Sequence, residues 1–158
     1  MNINFTAPFK YTRPNKLPNR LIYNNKNLYK MVDLATGEYI GKLKVTPTDL
    51  KNNQFYKNKE PIKSLYINNL WIVPFFRRKN FGSEFVKFAQ QLSFKEGCNG
   101  RLHLLAYNYD NPNKAPHKFW RKLGFASASE KENKILDFMI EYDIDISPDM
   151  CQGTMMYR

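Results

Sequence analysis

One stretch constrains this chain more than any other: Trp71-Ile72-Val73-Pro74-Phe75-Phe76-Arg77-Arg78-Lys79-Asn80-Phe81-Gly82-Ser83. It begins as an apolar strand, passes through a short basic turn and opens an amphipathic helix. Phe81, Phe85, Phe88, Ala89 and Leu92 fall on one helical face, and Glu84, Lys87, Gln91 and Lys95 surround the rest. Gly97 supplies a stop. Arg101–Tyr107 follows as a short apolar strand, so the unit is strand–helix–strand and its two strands are expected to pair in parallel. A helix start beside arginines combines unpaired backbone N–H groups with positive charge. That combination makes an anion site of the kind a pyrophosphate occupies.

Around this unit the pattern is mostly extended. Residues 1–27 place Pro8, Pro14 and Pro18 among many Asn, Lys and Arg, which predicts an extended basic arm or edge strand. Leu28–Val32 and Tyr39–Val45 flank Thr36-Gly37-Glu38 and read as a hairpin, with Gly37 supplying positive φ. Residues 47–63, with Pro47 and Pro61, read as a long loop, and Ser64–Val73 as a central strand rich in aromatic and β-branched residues. Asn108–Pro112 is a predicted loop, Pro116–Leu123 a second helix closed by Gly124, and Phe125–Ser129 a strand. Two patterns compete over residues 130–146. Leu136, Phe138, Ile140, Tyr142, Ile144 and Ile146 alternate as a strand would, yet Ser129-Glu130-Lys131-Glu132 is a capping box and Ile135, Leu136, Met139 and Ile140 form a helical stripe. The balance leans to a helix at 130–142, with Thr154–Arg158 as the last strand.

A length of 158 residues suits a single domain with one core, and 42% hydrophobic with 15% aromatic content can fill it. No apolar run approaches the roughly 18–20 residues that span a bilayer, so no membrane role is expected. The N-terminus lacks the charged start and apolar run of a secretion signal. Cys98 and Cys151 follow no metal-ligand spacing, so no metal site is expected and a reducing, cytoplasmic setting is. The net charge of +11 is unevenly spread. Residues 1–30 hold six Lys or Arg and no acid, whereas residues 125–150 carry seven acids against Lys131 and Lys134. Residues 72–122 have ten basic residues against Glu84, Glu96 and Asp110.

The turn at residues 73–83, followed by Phe119-Trp120-Arg121-Lys122-Leu123-Gly124-Phe125, resembles the acyl-CoA-binding core of the GNAT superfamily of N-acetyltransferases. The first segment is similar to its V-x-P-x-x-R-G-x-G-x-G turn and the second to its A-x-x-F-Y-x-K-x-G-F helix. The likeness covers residues 64–125. It implies an α/β (α+β) fold in which helices flank a mixed, mostly antiparallel central sheet, here one domain over 1–158 with a shortened N-terminal half. It implies acetyl-CoA as cofactor. Ile72 and Val73 would stand where backbone groups pair with the pantetheine amides, and an N–H near Val73 would polarise the thioester carbonyl. Arg77, Arg78, Lys79, Asn80, Phe81, Gly82 and Ser83 would wrap the pyrophosphate. Asn113 matches the asparagine before the second helix, and Trp120 lies in its aromatic pair. The phosphates of coenzyme A would account for part of the basic excess.

Three departures from the pattern matter. Arg78 and Asn80 stand where the family prefers glycine; Asn tolerates left-handed backbone, and Arg78 adds a charge able to pair with phosphate. Trp120 replaces the tyrosine that many members use to protonate the leaving thiolate, and an indole N–H is no useful acid at neutral pH. Tyr107 and Tyr109 are the alternatives. Members also place two helices between their first and second strands, whereas only 27 residues precede the hairpin here. An open acceptor groove, or one completed by a second subunit in a homodimer, is therefore expected.

For the base, the central strand offers Asn68 and Asn69, which position water but take a proton poorly, and His103 is the best ionisable candidate by type. His117 reads as a surface or cofactor-phosphate neighbour, and Asp33 and Glu38, which flank the hairpin turn, as solvated groups. Acetyl transfer to an amine of unknown identity, small molecule or peptide, by direct attack in a ternary complex is the expected activity. The alternative is a catalytically weak GNAT-fold binding module whose basic arm contacts nucleic acid or an acidic partner.

Overall fold

The computed structural model describes residues 6–11, 20–107, 116–146 and 153–158. Seven strands form one sheet in sequence order: β1 (Thr6–Tyr11), β2 (Arg20–Asn25), β3 (Leu28–Asp33), β4 (Tyr39–Leu50), β5 (Ile62–Ile72), β6 (Leu102–Ala106) and β7 (Thr154–Tyr157). The helices are α1 (Phe81–Lys95), α2 (His117–Lys122) and α3 (Glu130–Glu141), with a single 3-10 turn at Pro74–Phe76. Pairing is antiparallel for β1–β2, β2–β3, β3–β4 and β6–β7, and parallel for β5–β6. This is the mixed, mostly antiparallel sheet with flanking helices that the sequence leads one to expect. No helix among the described residues is long and apolar enough to cross a membrane.

Contacts divide the chain into two compact units, residues 1–46 with 67–88 and residues 47–66 with 89–158. In the first, β2, β3 and the start of β4 bury Ile22, Met31, Ile40, Leu43 and Val45 beside Phe81, Phe85, Val86 and Phe88 of α1. The phenylalanine stripe is therefore core, and the Phe88 ring meets Tyr29 edge to face at 5.1 Å. Glu84, expected on the solvent side of α1, is instead buried (2% exposed). The hairpin forms as expected, with Gly37 at φ 72° and the Asp33 carboxylate accepting from the Ala35 and Thr36 N–H groups.

The second unit buries Leu65, Leu102, Leu104, Ala106, Phe125 and Met156. Parallel pairing of β5 with β6 covers Leu65↔Leu102 and Tyr66↔His103, and β5 runs on to Ile72. Helix α2 ends as expected at Gly124 (φ 87°). The competition over residues 130–146 resolves as a helix: the Ser129 hydroxyl accepts from the Glu132 N–H at 3.3 Å and opens α3.

Of the two forms expected for residues 1–27, the described parts take the strand: Thr6–Tyr11 is the edge strand β1, and residues 20–25 pair along their length with β3. Two other expectations are corrected. The predicted loop at 47–63 is shorter, because β4 continues to Leu50 and β5 starts at Ile62. Thr46 and Thr48, both β-branched, favour the extended form, and their hydroxyls donate to the Asn68 Oδ1 (2.8 Å) and to the Ser64 carbonyl (3.3 Å). Phe125–Ser129 is not a strand; it makes one bridge, Ala126↔Tyr157. The Asn133 side chain takes both backbone groups of Ser127, accepting from its N–H at 2.8 Å and donating to its carbonyl at 2.9 Å, and so ends the ladder.

Candidate functional site

The site is built by the end of β5, the basic turn and the first turn of α1, all within the first unit. The end of strand β5 does not keep strict alternation of faces: Ile67 and Ile72, five positions apart, are both buried, and Asn68 and Asn69 are both exposed. The signal in the sequence was this change of phase between Ile67 and Ile72, which the reading as one regular strand missed.

Beyond Ile72 the chain is held by its own bonds. The Val73 N–H donates to the Ile40 carbonyl (2.9 Å), the Val73 carbonyl accepts from the Phe76 N–H (2.8 Å), and the Arg77 Nε donates to the Ile72 carbonyl (3.0 Å). The Val73 N–H itself is therefore engaged within the fold. The arginine that heads the turn doubles as its brace.

The turn itself has the geometry its unusual residues put in question. Arg78 lies at φ 59° and Asn80 at φ 66°, so both adopt the left-handed backbone that the family's glycines would take. Two such residues flanking Lys79 give the alternating backbone from which anion-binding concavities of N–H groups are made. Among the described residues the N–H groups of Arg78, Lys79 and Asn80 have no backbone partner, and α1 begins directly after them at Phe81. The Asn80 carbonyl accepts from Glu84 (3.1 Å) and sets that helix start. Arg78, Lys79 and Asn80 are exposed, Gly82 and Ser83 half-buried, and Phe81 buried against Phe76 (5.7 Å between centroids). Lys79 holds its ammonium 4.4 Å from the centre of the Phe75 ring. The residues present thus fit a pyrophosphate: donors, cations and no opposing carboxylate on the turn.

Left-handed backbone strains a residue with a Cβ by about 1 kcal/mol or more. Arg78→Gly is accordingly expected to raise the unfolding free energy by about 1 kcal/mol and yet weaken coenzyme A binding, because it removes a phosphate-pairing charge. Urea unfolding and titration calorimetry check the two effects separately; loss of stability would show that Arg78 makes contacts worth more than its strain.

His103, the ionisable candidate, stands on β6 in the second unit and is enclosed (4% exposed). Its Nδ1 lies 2.8 Å from the Ser64 hydroxyl and its Nε2 3.3 Å from the Thr48 hydroxyl. Its ring stacks on Tyr157 (6.2 Å between centroids) and tilts against Tyr66 (5.0 Å). Burial pushes its pKa down to about 4, so at neutral pH it is an uncharged ring with both nitrogens engaged. That arrangement suits packing, not proton abstraction. His117, expected near the surface, is also buried (2% exposed) with Nε2 3.0 Å from the Thr154 hydroxyl. Its Nδ1 has no partner among the described residues. The residue lines a cavity of about 60 Å³ together with Glu132, Ile135, Leu136, Ile146 and Thr154. Trp120 is buried (7% exposed) on α2 and meets Phe125 edge to face at 5.3 Å, as a core residue would. Tyr107 follows β6 and is half-buried, while Tyr109 and Asn113 lie outside the described residues.

A mixed sheet with flanking helices, in which a basic turn joins a strand to a helix, is the architecture of the acyl-CoA N-acyltransferase fold. Residues 4–125 match the model of the Acetyltransferase (GNAT) family. The chain belongs to that family. No curated protein matches its sequence. Among solved structures it is similar to one described as a bacterial toxin (14% identity, 87% of this chain and 66% of that one, TM-score 0.54). It is also similar to the Bacillus subtilis N-acetyltransferase YlbP in complex with coenzyme A (12% identity, 84% and 66%, TM-score 0.52). A third is AtaT complexed with acetyl-methionyl-tRNAfMet (17% identity, 71% and 68%, TM-score 0.51). The chain spans just under two thirds of the length of the first two.

Proposed function

We propose that this protein is an N-acetyltransferase that moves an acetyl group from acetyl-CoA, the co-substrate of its family, to an amine by direct attack. The observation that carries the reading is the turn at Arg77–Asn80: left-handed backbone at two non-glycine residues, in front of a helix start, inside a run of three cations. Strain of that kind persists where the surrounding structure demands the shape. Arg77, Arg78, Lys79, Asn80, Phe81, Gly82 and Ser83 hold the pyrophosphate, and the strand end at Ile72 and Val73 lines the route of the pantetheine arm. The cofactor supplies an activated acyl carbon. The amine nitrogen bonds to that carbon as the carbon–sulfur bond breaks, and the amine proton passes to water positioned by Asn68 or Asn69. With His103 enclosed and Trp120 unable to serve as an acid, Tyr107 is the described residue whose type suits protonation of the leaving thiolate. An amine carried on a large molecule is a candidate acceptor, as the acetylated aminoacyl-tRNA bound by AtaT illustrates. A cytoplasmic setting follows for a protein using that donor.

Thermal unfolding with and without 1 mM acetyl-CoA tests the reading on the intact protein and on Gly82→Trp. At a hundred times the dissociation constant a ligand selective for the folded state adds about 2.7 kcal/mol, roughly 5–10 °C for a chain of this size. The wild type is expected to shift and Gly82→Trp, whose bulk on the first turn of α1 blocks the phosphates, is expected not to. An unshifted wild type would overturn the proposal.

A further inference from the structure

One face of the sheet in the first unit carries lysines and aromatic rings to which the acetyl transfer proposed above assigns no part. In the register of β2–β4, Tyr23 stands opposite Lys30, Lys30 opposite Lys42, and Leu28 opposite Lys44. Paired residues share a face of the sheet, and Lys42 and Lys44, two positions apart on β4, share it too. Burial confirms the alternation: Tyr29, Met31, Leu43 and Val45 are buried on the opposite face, whereas Lys30 and Lys42 are half-buried and Lys44 is exposed. On the same side Tyr39 and Trp71 are stacked, with centroids 6.3 Å apart and planes at 27°, and the Lys42 ammonium lies 6.0 Å from the centre of the Trp71 ring. Thr46 and Asn68, joined by a hydrogen bond, extend the face with polar groups.

Like charges directly opposite one another in a ladder repel and destabilise the pair. Lys30 and Lys42 stand in that relation, and among the described residues neither they nor Lys44 has an ion pair. None of the positions in these rows is a carboxylate. An anion between the lysines removes the repulsion. Lys42 and Lys44 rise about 6.7 Å along β4, close to the separation of successive phosphates on an extended strand. Beside them Tyr39 is the more exposed end of a short aromatic stack (37% exposed), and one further ring can extend it. Cations in a row beside an aromatic platform fit a polymer that alternates phosphates with unstacked bases. A duplex keeps its bases stacked inside and has none to lend, and an acidic peptide leaves the aromatic stack unused.

We infer that the face carrying Tyr23, Lys30, Lys42, Lys44, Tyr39 and Trp71 is a docking surface for single-stranded RNA. The inference concerns binding alone and stands whether or not that RNA bears the acceptor amine.

Fluorescence anisotropy with the intact protein and a labelled single-stranded 12-nucleotide RNA, over 50–300 mM salt, tests it. Each lysine pairing with a phosphate contributes about 0.7 to the slope of log affinity against log salt for a single strand. The triple variant Lys30→Gln, Lys42→Gln, Lys44→Gln is expected to lose about 2 from that slope. Tyr39→Ala is expected to weaken binding between about fivefold and a hundredfold with the slope unchanged, as loss of one stacking contact does. Both variants are expected to keep the acetyl-CoA thermal shift of the wild type, which shows that they fold. Slopes unchanged in the triple variant would overturn the inference. So would equal competition by heparin together with indifference to Tyr39→Ala, which marks a general polyanion patch. Tighter binding of duplex RNA or of single-stranded DNA would overturn the choice of partner.

Discussion

Gly41→Val is expected to lower the unfolding free energy by about 3 kcal/mol or more, at the upper end of what overpacking does, and to weaken coenzyme A binding in the fraction that still folds. The reason lies in how closely β4 approaches the end of β5. A Cβ built at Gly41 collides with the Trp71 carbonyl oxygen and comes within 2.9 Å of the Ile72 Cδ1 and 3.2 Å of the Ile72 Cα. Two of those atoms are backbone and have no rotamer by which to yield. The displaced residues are the ones from which the basic turn departs. The Ile72 carbonyl is the acceptor for Arg77, and the Val73 N–H is anchored on Ile40 beside the glycine. Gly41→Ala, smaller by two methyl groups, should lie between wild type and Gly41→Val in both properties. Urea midpoints and calorimetric titration with coenzyme A read the two effects; a Gly41→Val protein with the wild-type midpoint would show that β4 and β5 have slack the contacts do not reveal.

The second large effect is a dependence on pH. The His103 pKa falls from 6.5 in the unfolded chain to about 4 in the fold because the ring is buried. Between those values the unfolded chain binds the extra proton and the folded one does not, so stability is complete above pH 6.5 and is lost as the pH falls toward 4. The full difference is about 3 kcal/mol at most. His117, whose pKa burial also lowers while Glu132 opposes the shift, acts in the same direction. His103→Gln keeps a polar group beside Ser64 and Thr48 but cannot take a proton, so its urea midpoint is expected to decline less steeply from pH 6.5 to 4 than that of the wild type. Parallel curves for the two proteins would show that His103 charges freely within the fold.

What the sequence disclosed was chiefly what short-range physics decides. The phenylalanine spacing from Phe81 marks a helix face, and α1 buries it. Ser129 and Glu132 disclose a helix start, and the Ser129 hydroxyl caps α3. Arg78 and Asn80 were legible as glycine-like positions because the surrounding turn needs backbone that only its shape explains. What remained hidden depends on partners distant in sequence. Glu84 looks like a solvent residue by its type, and only the packed helix shows it buried. The Val73 N–H is held by the carbonyl of Ile40, 33 positions earlier, a partner that the local sequence does not name. His103 was chosen for its chemistry, yet its environment is set by Thr48, Ser64, Tyr66 and Tyr157 from three other strands. Asn133, a helix residue, cut short a strand that composition favoured.

The order of strands in the sheet has a kinetic corollary. Because neighbours in the sheet are neighbours in the chain, the antiparallel ladders β1–β2, β2–β3 and β3–β4 close through short connections, and hairpins of that kind form within microseconds. The parallel pair β5–β6 is different, since it waits for the whole of α1 to be in place before Leu65 meets Leu102. Loop closure over that crossover is the slow, entropically demanding step. Emerging from a ribosome, this protein can lay down its sheet strand by strand in the order of synthesis, and the pause in that progression falls at the segment that carries the phosphate-binding turn.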